Sequence, residues 1–175
     1  MRIPIESSRS YRGRNSRPNW LALLGLIGLA LGAGAIGAIF SPGGSAKAAA
    51  WYAMLSKPAW APPDGWFGPV WALLYVLMGT AVWLIWPERY HRKHAAALLA
   101  YAVQLLLNAL WAPLFFGAKN IGAGLFIAVA LWLAIVWTFR EFLAVRAGAA
   151  WLLAPYLIWV SFGVTLNLSI WRLNP

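Results

Sequence analysis

The sequence predicts an all-α membrane protein, a bundle of five transmembrane helices with a long Trp/Pro-rich loop between the first and second helices. The 175-residue chain is 62% hydrophobic and only 10% charged, whereas a soluble domain carries about 25% charged residues. Five apolar stretches each reach the length of about 20 residues that a helix needs to cross a bilayer. No stretch alternates steadily between apolar and polar residues, so strands are not expected.

The five predicted spans are separated mostly by short, charged connections. The first, residues 20–40, contains no charge, and the second, residues 67–86, ends at Pro87 and Glu88. The other three are predicted at residues 95–116, 121–139 and 148–171. Each span is expected to be helical, because backbone polar groups within lipid must be paired inside the protein. Residues 41–66 form the one sizeable connection, and their aromatic content favours an ordered segment with a function.

The N-terminal part of the chain allows two interpretations. Basic residues, then an apolar run, then Ala46-Lys47-Ala48 resemble a signal peptide with its cleavage site. The run is about 20 residues long, whereas the apolar part of a signal peptide has about 7–15, so a retained first helix is favoured. Residues 1–19, dense in Arg, Ser and Asn, are predicted to be a disordered basic tail, followed by a transmembrane domain of residues 20–175.

Gly28 and Gly32 give the first span a GxxxG spacing. Small residues four apart let two helices approach closely in lipid. The spacing fits a contact within one chain and equally a contact between two copies.

The charge is strongly basic, with 14 Lys and Arg against 4 Asp and Glu. The basic residues lie at the ends of apolar runs rather than on one polar face, so they indicate membrane topology and not nucleic-acid binding. An inner N-terminus places ten of them inside and four outside, which also puts the loops between spans 2 and 3 and between spans 4 and 5 on the inner side. The outer four are Lys47, Lys57, Lys119 and Arg172.

Conventional catalysis is not predicted. The chain has no cysteine, which removes thiolate chemistry and Cys-based metal sites. No carboxylate pair lies within a span, and no serine has a histidine partner at membrane depth. His91 and His94 are three residues apart, but the cations around them oppose a metal, so no metal site is predicted. The acids are Glu6, Asp64, Glu88 and Glu141.

Thirteen tryptophans are the most informative feature of the composition. Those near predicted span ends fit the aromatic belt of a membrane interface. Others lie in the long loop or inside spans, where helical spacing places them on shared faces with Tyr, Phe and amide side chains. These faces are Trp71, Tyr75 and Met78; Tyr101, Gln104, Asn108, Trp111 and Phe115; and Trp159, Phe162, Gly163 and Leu166.

Gln104 and Asn108 require hydrogen-bond partners, because amides are costly in hydrocarbon. Two interpretations stay open: the amides join helices, or they are polar anchors in a ligand cavity. An aromatic cavity with a few amides suits a flat, largely apolar ligand that stacks on its walls. The Trp/Pro-rich loop would then cover the cavity as a lid.

The same residues resemble the TspO/MBR family of tryptophan-rich sensory proteins and translocator proteins, also called peripheral-type benzodiazepine receptors. The motifs are WYxxLxKPxWxPP from residue 51, VWxxLYxxMG from residue 70, QLxxNxxWxPxFFG from residue 104 and PYLxW from residue 155. They occur in the family's order, and the resemblance extends over residues 20–175.

The resemblance implies a five-helix bundle, often a homodimer, that binds porphyrins such as protoporphyrin IX or haem without a required cofactor. It implies a multi-pass tetrapyrrole sensor or regulator in the bilayer, with light-dependent porphyrin breakdown or tetrapyrrole or sterol transport as alternatives. Trp71 and Trp159 match the tryptophans tied to breakdown. The candidate ligand-binding residues are Trp60, Phe67, Trp71, Tyr75, Asn108, Trp111, Trp159 and Gly163.

Some positions depart from the family pattern. Gly163 stands where relatives often carry Ala, which is expected to remove a methyl group from a helix contact. Leu168 stands where the cholesterol motif of animal members needs Tyr, so sterol recognition by that route is not expected and a bacterial membrane is favoured. Ala123 replaces a Trp of the animal members. No inverted repeat or pair of broken helices is evident, which disfavours transport.

Overall fold

A computed structural model of the chain describes residues 19–88 and 94–175, and the regular secondary structure within them is helical. The α-helices are α1 (Trp20–Phe40), α2 (Ala46–Met54), α3 (Phe67–Ile85), α4 (Ala95–Ala112), α5 (Ile121–Val145), α6 (Ala147–Trp151) and α7 (Ala154–Leu173). A π-helical turn, Pro113–Gly117, follows α4, and short 3-10 helices lie at Asp64–Trp66 and Trp86–Glu88. The predicted tail up to residue 18 and the basic residues within 89–93 lie outside the described residues.

Five segments of the described chain, 21 to 27 residues long, are apolar enough to cross a membrane. They are α1, α3 with the turn before it, α4 with its π-helical turn, α5, and α6 together with α7. The predicted all-α, five-span class is therefore confirmed. Asn19, assigned to the tail by the sequence, instead caps α1, since its side chain accepts a hydrogen bond from Ala22 N at 3.1 Å.

Two spans differ from those predicted. α5 continues to Val145, well past residue 139, and Trp137 Nε1 donates to Glu141 Oε1 at 3.2 Å on its exposed surface. The last span is interrupted between α6 and α7. Pro155 lacks the N–H that a continuous helix would donate to residue 151, and it lies instead in the first turn of α7, where that donor is not needed.

The long loop predicted at residues 41–66 is not found in that form. The segment contains α2 and a 3-10 turn, and only residues 41–45 and 55–63 within it lack regular helical structure. Its alanines are strong helix formers, and Ser45 caps the helix by accepting from Ala48 N at 3.3 Å. The connection between α1 and α3, which we call the cover segment (residues 41–66), is thus a folded element.

The spans pack in a connected set, with α1 against α3 and α4, α4 against α5, and α5 against α7. The backbones of α1 and α3 approach closely at Gly79 of α3, where a Cβ atom would lie 2.5 Å from Ile27 Cα of α1. α1 is the least buried span, at 11% of its apolar window against 33 to 39% for the others. Cβ atoms at Gly28 and Gly32 would meet nothing within 4 Å, so their GxxxG spacing does not serve packing within the described chain.

Gly79→Ala should destabilise the bundle, because the added methyl overlaps the α1 backbone and the helix must shift. Overpacking of this kind costs about 1–3 kcal/mol. Thermal unfolding in nanodiscs measures the effect. Gly25→Ala is the matched control, since its methyl enters open space, and an equal loss in both variants would contradict the assigned contact.

Candidate functional site

The main cavity of the described chain lies in the half of the bundle that adjoins the cover segment. Successive spans run in opposite directions, so the ends of α1, α4 and α7 meet the beginnings of α3 and α5 there. The cavity has a volume of about 1080 Å³, is partly open, and is lined mainly by apolar and aromatic side chains. The lining includes seven of the eight sequence-predicted residues: Phe67, Trp71, Tyr75, Asn108, Trp111, Trp159 and Gly163.

A chain of hydrogen bonds crosses one wall of the cavity. Tyr75 Oη donates to Asn108 Oδ1 at 2.6 Å, and Asn108 Nδ2 donates to Tyr156 Oη at 2.9 Å. All three side chains are buried, so the bonds connect α3, α4 and α7 within the bundle. Asn108 satisfies both interpretations of the amides, because it joins helices and also lines the cavity.

The two tyrosines of these hydrogen bonds also contact Trp71. Its ring stacks on Tyr75 with centroids 5.6 Å apart and meets the edge of Tyr156 at 6.1 Å. Opposite Tyr75, Gly34 of α1 lies so close that a Cβ atom there would overlap the tyrosine ring. Only glycine therefore lets α1 close this side of the cavity.

Trp159 of α7 belongs to a second aromatic group. Phe67 meets it at 5.8 Å, and Phe162 lies 5.5 Å from it on the same helix. Trp60, the eighth predicted residue, does not line the cavity. Its ring meets the edge of Phe162 at 5.7 Å, and 49% of the side chain is exposed, so it lies at the outer rim.

Gly163 faces open space, which corrects the sequence-based expectation. A Cβ atom there would meet nothing within 4 Å, and the residue lines the cavity. The methyl group that an alanine carries would therefore occupy cavity volume and not a helix contact.

A third aromatic group joins the cover segment to the end of α4. Trp111 stacks on Phe115 with centroids 5.1 Å apart, and the rings of Trp51 and Tyr52 meet Phe115 at 5.5 Å and 6.4 Å. With the Asn167 amide oriented to satisfy both of its groups, its oxygen accepts from Trp111 Nε1 at 3.3 Å. Sequence reasoning did not assign Asn167 a role.

Tyr52 is the packed centre of the cover segment. Burial, with a smaller contribution from Asp64, raises the pKa of Tyr52 to about 12, so its hydroxyl stays neutral at physiological pH. Lys57 Nζ lies 4.3 Å from the centre of the tyrosine ring and donates to Tyr52 O at 2.7 Å. Both contacts of the lysine thus stabilise the cover segment.

The C-terminal end of α7 fastens the cover segment. Ser56 N donates to Asn174 Oδ1 at 3.0 Å, and Asn174 Nδ2 donates to Ser56 O at 2.9 Å and to Ile170 O at 2.8 Å. One amide side chain therefore bonds both backbone groups of a residue 118 positions away. We call this pair of contacts the Ser56–Asn174 clip.

The cavity is suited to binding and offers little for acid–base chemistry. Asp64 is the one charged residue among the described residues that line it. Within residues 19–88 and 94–175, no group of three or more His, Cys, Asp or Glu side chains could hold a metal. Aromatic walls with a neutral Tyr–Asn–Tyr chain fit a flat, mostly apolar molecule with few hydrogen-bonding groups.

The fold and this cavity define a helical, multi-pass integral membrane protein with an internal aromatic chamber. The chain belongs to the TspO/MBR family, whose family model matches residues 20–172, and the resemblance noted in the sequence is confirmed. Tryptophan-rich protein TspO of Chlorobaculum tepidum is 42% identical over 157 residues, covering 89% of this chain and 97% of that protein. Protein CrtK of Rhodobacter capsulatus is 41% identical over 144 residues, covering 82% and 86%. Human translocator protein is 42% identical over 126 residues, covering 71% and 75%.

Asn108→Leu should lower stability, because it leaves the buried hydroxyls of Tyr75 and Tyr156 without their partner. Each such group costs about 1–3 kcal/mol. The triple variant with Tyr75→Phe and Tyr156→Phe should recover part of the loss, since no hydroxyl is then left unpaired. Thermal unfolding compares the stabilities of the variants. The hydrogen-bond chain would be contradicted if the triple variant were less stable than Asn108→Leu by the summed losses of Tyr75→Phe and Tyr156→Phe, each measured alone.

Proposed function

We propose that this protein binds a porphyrin in the aromatic cavity and acts as a tetrapyrrole sensor or regulator in the membrane. The observation that carries the proposal is the convergence of seven predicted residues, from separate spans, on one cavity. At about 1080 Å³, the cavity slightly exceeds the range of about 300–1,000 Å³ for small-molecule sites. A ligand as large as a tetrapyrrole is therefore suitable.

The ligand would lie between two aromatic groups of different spans. Trp71 with Tyr75 offers one ring surface on α3, and Trp159 with Phe67 offers a second, where α7 meets the beginning of α3. Asn108 and the Tyr75 hydroxyl supply the polar contacts next to these rings. Stacking contributes about 0.5–1.5 kcal/mol per ring pair beyond the burial of apolar area.

Access and orientation form part of the same proposal. The cavity adjoins the cover segment, so a ligand would enter beside residues 41–66. The distribution of Lys and Arg favours an orientation with this side outside and the N-terminus inside. A homodimer is proposed as well, with the lipid-facing Gly28 and Gly32 of α1 free to contact a second copy.

Replacing both Trp71 and Trp159 by Phe should weaken protoporphyrin IX binding about tenfold, because two indole contacts are reduced and 1.4 kcal/mol corresponds to a factor of ten. Absorbance and tryptophan-quenching titrations measure the dissociation constant. The matched control is Trp137→Phe with Trp151→Phe, two exposed tryptophans outside the cavity lining. Equal affinity in the two double variants would count against this site.

Removing the contact that fastens the cover segment gives a separate prediction about the rate of ligand dissociation. Asn174→Ala removes the Ser56–Asn174 clip, so bound protoporphyrin should dissociate several-fold faster while its contacts in the cavity are unchanged. Stopped-flow displacement measures the rate. Asn19→Ala is the control, because it removes a helix cap at the opposite end of α1, and acceleration in both variants would indicate general loosening.

Light-dependent porphyrin breakdown is the second candidate, favoured by the presence of both Trp71 and Trp159 in the cavity lining. An indole beside a photoexcited porphyrin can donate an electron to it, with dioxygen as the final oxidant. Aerobic illumination of the complex should then bleach the porphyrin bands, and anaerobic illumination should not. The Trp71→Phe, Trp159→Phe variant, compared at equal porphyrin occupancy, should bleach more slowly; an unchanged rate would reject this activity and leave the binding proposal standing.

A further inference from the structure

A second polar site lies in the other half of the bundle. Tyr101 and Gln104 of α4 are 5% and 1% exposed. Three of their polar atoms, Tyr101 Oη, Gln104 Oε1 and Gln104 Nε2, have no hydrogen-bond partner among residues 19–88 and 94–175. Burying an amide or hydroxyl in this way destabilises the fold unless a hydrogen-bond partner is present.

The two side chains lie on one face of α4. Residues three apart in a helix are neighbours, and side chains lean toward the helix N-terminus, so the Gln104 amide leans toward the turn that carries Tyr101. Asn108 lies one turn further along, but both groups of its amide are already bonded to Tyr75 and Tyr156. Gln104 therefore does not complete the hydrogen-bond chain of the cavity wall.

The chemistry of these atoms selects the ligand. Tyr101 Oη can donate and accept, Gln104 Oε1 accepts and Gln104 Nε2 donates. An anion would meet the amide oxygen and a cation would meet the amide nitrogen, each unfavourably. A small neutral molecule that both donates and accepts satisfies all three atoms, and water is that molecule.

We propose that Tyr101 and Gln104 form an internal hydration site, in which one or two ordered water molecules bridge the amide and the hydroxyl. The ring of Tyr101 is fixed for this role, because it stacks on the fully buried Phe142 of α5 with centroids 6.2 Å apart and planes 19° apart. The site is distinct from the aromatic cavity, since neither residue lines it, and it does not depend on porphyrin binding.

Radiolytic hydroxyl-radical labelling in ¹⁸O water, with the full chain in nanodiscs, tests the site directly. Radicals generated from a bound water label the side chains beside it, so Tyr101 should be labelled in spite of its burial. Gln104→Met, which keeps the length and removes the amide, should reduce labelling of Tyr101 several-fold. Leu105→Met changes the adjacent position without touching the polar atoms and should leave labelling unchanged. The proposal would be overturned if labelling of Tyr101 in the wild type did not exceed background, or if Tyr101 were labelled equally in Gln104→Met and in the wild type.

Thermal unfolding gives an independent check that does not depend on labelling. If water bridges the two groups, Tyr101→Phe and Gln104→Met each lower the melting temperature, and the double variant loses less than the sum of the two. If the atoms are simply unsatisfied, each single variant raises the melting temperature and the effects add, which would overturn the proposal.

Discussion

The buried amide of Asn108 is the interaction on which the rest of the cavity depends. Within the bilayer an amide has no bulk water to bond, and Asn108 meets this constraint by accepting from Tyr75 and donating to Tyr156. The two tyrosines in turn contact the Trp71 ring. The position of the indole is thus set by hydrogen bonds in which it takes no part, and the polar and aromatic features of the wall form one unit spanning α3, α4 and α7.

Much of this architecture could be predicted from the sequence, because hydropathy and helical spacing report on lipid exposure and shared faces. The observed bounds of α1 match the predicted ones, and the faces of Trp71 with Tyr75 and of Asn108 with Trp111 meet at the cavity. α2 was not predicted because a helix of nine residues is too short to show a span pattern. Its alanines also allow the alternative interpretation as a cleavage site.

The parts of the site that could not be predicted are those without a distinctive side chain or a local pattern. α1 contributes much of the lining through glycines and alanines, which carry no chemical signature, and the need for Gly34 appears only when Tyr75 is seen against it. The Ser56–Asn174 clip joins residues 118 positions apart, so no spacing rule could find it. Trp60 was named a candidate ligand-binding residue by resemblance, and its ring lies at the rim against Phe162.

The forces that act between helices in lipid help to explain why a cavity of this size stays open. Lipid tails are as apolar as the side chains, so no hydrophobic force drives the helices together to close the space, and packing and hydrogen bonds alone determine where they touch. In this protein the Tyr–Asn–Tyr chain and the aromatic group under the cover segment lie around the cavity, and Gly79 against Ile27 joins α1 to α3 further along the bundle. The small residues of α1 line the same cavity as the aromatic rings of α3, α4 and α7. The chamber therefore follows from which helix faces carry small residues and which carry aromatic ones, and a ligand that fills it gains contacts that the bundle cannot make with itself.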